Sequence, residues 1–331
     1  MKIAIDAMGG DYGPSITIEA VSKALDCDKC INFELFGNFD EAKPFLKKFN
    51  LLSSSNINFI HTEEVVNSND KPSFALRAKK QSSMRLAINS IKEHKNIACV
   101  SAGNTGALLG IARFVLKTLP GVSKPAICGV LPGLNKVTRV LDLGANIECS
   151  AEDLRSFAIM GSVLSRSAGG IQQPTIGLLN IGEEEVKGND VIKATAELLA
   201  DSDLNYCGFV EGDDIFKGSV DVIVCDGFVG NVALKAGEGA AKLLSGIARE
   251  EFSKNIFTKM SYLLAKKVTA NLKNRVDHRN YNGASLLGLR GTVVKSHGSA
   301  DSVSFQKAIM VAVNEASQEV PKIIGAQLAE E

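Results

Sequence analysis

The sequence predicts an α/β protein built on a doubly wound, mostly parallel sheet. Three observations carry this expectation. Nearly continuous apolar, strand-like runs alternate with helical patterns from end to end, as strands buried on both faces require. The 331 residues are 45% hydrophobic, enough for a large core. Thirty glycines and no tryptophan suggest many tight strand-to-helix turns.

Residues 2–8 read as a strand, and Pro14 opens an amphipathic helix to about Leu25. A strand at Ile31–Gly37, a helix at 39–49, a strand at Ile57–Thr62 and a helix around 82–94 follow. Ile97–Ala102 is a strand that leads into a helix from Asn104 to about Leu119. Strands are expected at Ala126–Leu131 and Val137–Leu143, a helix at 151–167 and a strand at Thr175–Ile181. A helix at 190–200 precedes strands Cys207–Val210 and Val220–Cys225. Long helices fill about 229–249 and 252–274, before a strand at Thr292–Lys295 and a helix at 301–317. Without repeats or a linker, residues 1–331 are expected to form a single α/β domain.

Lys+Arg and Asp+Glu balance at 37 each, so the global basic excess of a nucleic-acid binder is absent. The chain opens on a strand rather than a signal peptide, and its apolar runs stay short of the roughly 20 residues of a membrane span. A cytoplasmic protein is expected. Seven cysteines lie at 27, 30, 99, 128, 149, 207 and 225, mostly in or beside strand-like runs, and read as reduced core thiols. Cys27 and Cys30 have redox or zinc spacing, but the pair stands alone between a helix end and a strand, which favours a surface turn.

One compositional shift stands out. Between Phe252 and Val276 lie Lys254, Lys259, Lys266, Lys267, Lys273 and Arg275 with no acid. Phe252, Ile256, Met260, Leu263, Leu264, Val268 and Leu272 recur at helical spacing. An amphipathic segment at about 250–280 is therefore expected, packing on the sheet, across a dimer seam, or on an anionic bilayer.

Ligands of parallel α/β sheets bind outside the carboxyl ends of strands. Six such ends here carry glycine with small polar or charged groups: 6–11, 102–106, 144–146, 182–189, 226–231 and 296–301. Glycine admits close backbone approach, and Asn, Thr and Ser offer short donors. No GxGxxG follows a strand, no P-loop or GxSxG elbow occurs, and the four histidines are scattered without metal spacing. Neither a metal nor a cofactor is expected, only an anion site of amides, Asn, Thr and Lys.

At these turns the sequence resembles the acyl-carrier-protein:phosphate acyltransferases of bacterial phospholipid synthesis. The matching stretches include Ile5–Asp11, Ser101–Leu108, Leu141–Asn146, Gly177–Glu184 with Lys187–Asn189, Phe209–Gly212, Cys225–Asn231 and Val294–Ser299. Tyr12-Gly13 replaces the family's usual His-Ala, and Ala78 and Gln81 replace an Arg and an Asp. The resemblance implies a fold similar to phosphate acetyltransferases and the isocitrate dehydrogenase type, a homodimer, and a cleft active site. It implies transfer of a fatty acyl group from acyl carrier protein to inorganic phosphate. A CoA-dependent phosphate acetyl- or butyryltransferase is the alternative. The acyl phosphate would pass to a membrane glycerol-3-phosphate acyltransferase, which suits a cytoplasmic enzyme held peripherally at the membrane.

Such a transfer needs positioning and oxyanion stabilisation more than covalent help. The candidate catalytic residues are Lys187 and Asn231, at the phosphate or oxyanion, and His297, protonating the thiolate or orienting phosphate. Asp6, Gly9, Gly10, Asn104, Thr105, Asn146, Asp226, Lys295 and Ser299 are the expected substrate-binding residues, with Asn104–Thr105 a helix-start anion cradle. For Lys187 the functional reading is favoured over a solvated loop lysine, while Asn104 and Asn231 read equally as helix caps, Asp6, Asp142 and Asp226 as turn acceptors, and His297 as a satisfied turn histidine.

Overall fold

A computed structural model describes residues 1–330, the side chains of 273, 276 and 278 excepted. Lys273, counted among the basic residues of the amphipathic segment, thus lies outside the described residues. In the first half, strands β1 (Lys2–Asp6), β2 (Asn32–Gly37), β3 (Ile57–His61) and β4 (Ala98–Ser101) alternate with α1 (Pro14–Cys27), α2 (Phe39–Lys48), α3 (Pro72–Ala78) and α4 (Ser83–Lys92). Then come α5 (Thr105–Leu116), β5 (Ala126–Leu131), β6 (Thr138–Leu141), α6 (Ala151–Ser167), β7 (Ile176–Leu179), α7 (Asp190–Ala200), β8 (Tyr206–Val210), α8 (Asp214–Lys217) and β9 (Val222–Val224). The chain closes with α9 (Gly227–Ser253), α10 (Ile256–Val276), β10 (Ala284–Leu287), β11 (Thr292–Lys295), α11 (Ser302–Ser317) and α12 (Val320–Glu330).

The strands form an 11-stranded sheet in the order β3-β2-β1-β4-β11-β10-β5-β6-β9-β7-β8. Strands β3, β2, β1, β4 and β11 pair in parallel, and so do β6, β9, β7 and β8. Between them β10 is antiparallel to both β11 and β5, and β5 to β6. The strand sense therefore reverses between two parallel blocks. Alternate residues feed opposite faces, as a two-residue period demands. Ile3, Ile5, Ala98 and Val100 join one core, while Ala4 and Cys99 join another. That second core continues through Val140, Ile223 and Leu179, so one apolar layer spans both blocks. Leu141, Val222 and Val224 pack into a third, beneath α6.

The doubly wound, mostly parallel architecture is as expected, with differences at its ends. Sequence patterning misses α3, α8, β10 and α12. The two long helices meet at Asn255, whose side chain accepts from the Phe257 and Thr258 amides and caps α10. The α10 stripe is not packed on the sheet: Leu264 is 89% exposed, and Ile256, Phe257, Met260, Leu263, Val268 and Leu272 are also exposed. No helix among the described residues is long and apolar enough to cross a membrane. All seven cysteines are free, with Cys27 and Cys30 on the surface.

A buried carboxyl sits at the seam between the blocks. Glu315 of α11 accepts a hydrogen bond from the Ser285 hydroxyl of β10. Burial pushes its pKa from 4.5 up to about 7, against the opposing effects of Ser285 and the Arg139 charge. The folded state therefore holds an extra proton between these values, and stability falls as pH rises through that window. Glu315→Gln is expected to add about 2–3 kcal/mol at pH 8 and little near pH 4.5. Urea midpoints at the two pH values check this; equal shifts at both would contradict it.

Candidate functional site

Strand register sorts the candidate residues into two groups. β1, β4 and β11 are adjacent, with Ile5 opposite Val100 and Ser101 opposite Lys295, so their following turns share one sheet edge. They carry Asp6, Gly9, Gly10, Asn104, Thr105, Lys295, His297 and Ser299. β6, β9 and β7 are likewise adjacent, with Leu141 and Leu178 both opposite Val224. Their turns carry Asn146, Asp226 with Asn231, and Lys187. Because strand sense reverses between the blocks, the six turns form two sets of three rather than a single ring.

In the first set Asp6 is buried. One carboxylate oxygen accepts from Ser83 Oγ at 2.7 Å and the other from Ser101 Oγ at 2.6 Å. Burial raises its pKa, and these bonds oppose the rise. Asp6 thus ties α4 to the ends of β1 and β4. Gly9 lies over it so closely that a methyl there would come within 2.8 Å of Asp6 Oδ2 and of the Gly103 amide. Gly10, at φ +90, brings the turn against the Gly298 carbonyl. The Asp11 amide donates to that oxygen at 2.9 Å.

Asn104 caps α5 through Oδ1, and its Nδ2 donates to the Ser68 and Asp70 carbonyls. All its polar atoms are engaged, while Thr105 beside it is exposed. Lys295 Nζ donates to the carbonyls of Ala102, at 3.2 Å, and Ser296. Burial lowers its pKa to about 8, with Asp6 and Asp11 opposing, so it remains a cation at neutral pH. His297 Nδ1 accepts from the Ser299 amide at 3.2 Å and lies 2.9 Å from Ser299 Oγ. An amide can only donate, so the neutral ring carries its proton on Nε2.

The second set is organised by Asp142, a strand-end aspartate that here gathers turn amides. Its Oδ1 accepts from the amides of Ile127, Gly144 and Ala145, and its Oδ2 from Asn146 N at 2.7 Å and Nδ2 at 2.9 Å. Burial still raises its pKa against these bonds. Asn146 Nδ2 also donates to the Pro125 carbonyl. Asp226 caps α9 by accepting from Val229 N at 2.9 Å, and Gly227 N donates to Asn146 O at 2.7 Å. The start of α9 is thereby clamped on the Asp142 turn.

Two donors there are left unspent. Asn231 lies against Gly144, whose φ is +125, close enough that a methyl on Gly144 would come within 2.6 Å of Asn231 Nδ2. Lys187 sits in a turn closed by its amide donating to Glu184 O at 3.0 Å, with its stem over Gly182. Both are exposed, and neither side chain makes a hydrogen bond or ion pair among the described residues. Below them Asn180, at the end of β7, backs Gly188 with its Oδ1, while its buried Nδ2 has no partner among the described residues. Its sequence signals are its position directly after an apolar strand and its place in the Gly177–Glu184 stretch. Among the described residues no three His, Cys, Asp or Glu side chains gather as metal ligands.

The model of a family described as fatty acid synthesis protein matches residues 1–323, which include both sets of turns. A phosphate acyltransferase from Methylococcus capsulatus is 51% identical over 328 residues, covering 99% of this chain and 97% of the relative. One from Legionella pneumophila (strain Paris) is 53% identical over 329 residues, covering 99% and 96%. The chain belongs to the phosphate acyltransferase family. It is an acyltransferase of that family along its whole length rather than in one segment. Solved structures support the fold from further away. A phosphotransacetylase from Streptococcus pyogenes superposes with TM-score 0.62 at 17% identity, over 96% of this chain and 94% of that one. A branched-chain phosphotransacylase from Enterococcus faecalis V583 gives 0.58 at 14% identity, over 95% and 99%.

Proposed function

We propose that this phosphate acyltransferase takes a fatty acyl group from an acyl carrier protein thioester, with Lys187 and Asn231 as the principal donors to the reacting groups. The observation that carries this reading is the pair of exposed, unspent donors, Lys187 and Asn231, on turns that Asp142 and Asp226 hold by hydrogen bonds. An ammonium and an amide at neighbouring strand ends suit a phosphate oxyanion and the oxygen of a tetrahedral intermediate. A phosphate oxygen attacks the thioester carbonyl carbon, the C–O bond forms, and the C–S bond then breaks. Monohydrogen phosphate and the acyl thioester become acyl phosphate and a thiol, so the phosphate proton ends on sulfur. No change of oxidation state occurs.

In the other set of turns, the exposed Thr105 helix start offers amide and hydroxyl donors to an anion. His297, whose neutral ring offers its Nε2 proton as a hydrogen-bond donor, is suited to hold a phosphate oxygen, and Lys295 adds a positive charge. Asp6, Gly9, Gly10, Asn104, Asn146 and Asp226 act through the shape of the turns, by bonds to the backbone or by close approach. Comparing acyl carrier protein with CoA thioesters of one acyl group tests the donor. A preference for the CoA thioester would favour the phosphate acetyl- or butyryltransferase reading.

The same reading includes a cytoplasmic homodimer that binds membranes peripherally and supplies a membrane glycerol-3-phosphate acyltransferase. Its support is the exposed apolar stripe of α10 flanked by Lys254, Lys259, Lys266, Lys267 and Arg275. Wild type is expected to co-sediment with anionic vesicles and to be released by salt, while Ile256→Asp with Leu264→Asp stays in solution. Equal binding by the folded double variant would remove this helix as the contact.

A further inference from the structure

We propose that an apolar stripe on α9, made by Phe228, Val232, Ala236, Gly239 and Leu243, is the track on which the alkyl chain of the acyl group lies during transfer. The inference rests on the acyl-transfer reading above and adds the place of the chain. The five positions step by four, four, three and four residues, which puts them on one helix face. That face is open. Phe228 is 60% exposed, Val232 55% and Leu243 63%, and Ala236 and Gly239 between them are exposed too. A methyl built on Gly239 would meet nothing within 4 Å. In the first half of α9 the opposite face is occupied, with Gly227 and Gly230 against the Asp142 turn and Ala233 and Leu234 on the core, whereas from Gly239 to Glu251 every residue is exposed.

Single exposed apolar residues are ordinary on protein surfaces. This stripe differs in being continuous and in where it begins. Its first two members flank Asn231, and Ile181 and Val186 stand exposed on the turn that carries Lys187. An acyl carbonyl held by those two donors would have its alkyl tail at the foot of the stripe. From Phe228 to Leu243 the rise is about 22 Å. Two opposed acyl chains fill a bilayer core of about 30 Å, so one chain spans about 15 Å and the stripe accommodates it. Each methylene removed from water is worth about fourfold in affinity, so even partial cover along the stripe discriminates chain lengths strongly. The far end leads towards the α9–α10 turn and its exposed apolar residues, a route from reaction centre to lipid surface.

Ala236→Asp tests this, because it places a charge about 7 Å along the helix from Asn231. A butyryl chain ends before it, whereas a hexadecanoyl chain must cross it. With butyryl and hexadecanoyl thioesters of acyl carrier protein as donors, Ala236→Asp is expected to lower the hexadecanoyl-to-butyryl ratio of kcat/KM at least about tenfold. Ala236→Leu should keep that ratio within about twofold of wild type. Wild-type transfer of both chains with an unchanged ratio in Ala236→Asp would overturn the track while leaving the acyl-transfer reading standing. Failure of wild type to transfer either chain would overturn both. If Ala236→Asp turned a dimer into a monomer and lowered both rates equally, the stripe would belong to a second copy of the chain, and the track would be overturned.

Discussion

Replacing Lys187 or Asn231 by alanine is expected to lower kcat at least about tenfold, and towards the 10²–10³-fold loss typical of a removed oxyanion donor. Both side chains are exposed and make no hydrogen bond or ion pair among the described residues, so truncation takes nothing from the folded core. The circular dichroism spectrum and urea midpoint should therefore match wild type while turnover falls. If both donors serve one developing negative charge, the double variant should lose less than the product of the single losses. Unchanged kcat/KM in either single variant would take that residue out of the site. Lys187→Arg should recover little, because a planar fork does not replace a compact ammonium.

A comparable loss is expected from Gly230→Ala, a change that touches no reacting group. Gly230 packs directly on the Asp142 turn, where a methyl would drive into the Asp142 carbonyl oxygen and lie 3.0 Å from Cys225 Sγ. Neither neighbour can yield, since the Cys225 amide bonds the Leu141 carbonyl and the Asp142 carboxylate gathers the adjoining turn. The helix must lift, carrying Asn231 with it. A misplacement of about 1 Å is worth about 100-fold in rate, and the overpacking costs about 1–3 kcal/mol of stability. Gly246→Ala on the same helix is the control: a methyl there meets nothing within 4 Å and should slightly favour the helix. Equal activity in the two variants would show that the clamp on α9 does not position the site.

Much of the fold is legible because its strands are short β-branched runs such as Ile3-Ala4-Ile5 and Val222-Ile223-Val224, which fit a sheet covered on both faces. β10 is missed because Ala284-Ser285-Leu286-Leu287 shows neither alternation nor β-branching. α12 begins Val320-Pro321, and proline in a first turn is a start signal that apolar periodicity alone does not use. The break before α10 is written as Asn255 with Thr258, a short capping pattern inside an otherwise helical run. The reversal of strand sense is not written locally, since it depends on how β5 and β10 return through the sheet.

The strand-end turns are legible for the same reason as the strands, and the standing of each residue within them is not. Asn104, Asn146 and Asn231 are the same residue type in similar surroundings of sequence. The first is engaged by the Ser68 and Asp70 carbonyls, and the second by Pro125 and Asp142. Asn231 has no such partner among the described residues. Whether an amide is spent on its scaffold depends on neighbours that the fold supplies from elsewhere in the chain, and the same holds for Asp6 beneath Ser83 and Ser101.

The most direct test is to mix the purified chain with hexadecanoyl acyl carrier protein and isotopically labelled inorganic phosphate, with chelator present and no nucleotide. Product is trapped with hydroxylamine as the hydroxamate, and thiol release is followed in parallel. Labelled acyl phosphate and free thiol should appear in equal amounts, and Lys187→Ala should lower both together. Thiol release without acyl phosphate would mean hydrolysis rather than transfer. Activity lost to the chelator and restored by a divalent metal would contradict transfer by the chain's own donors.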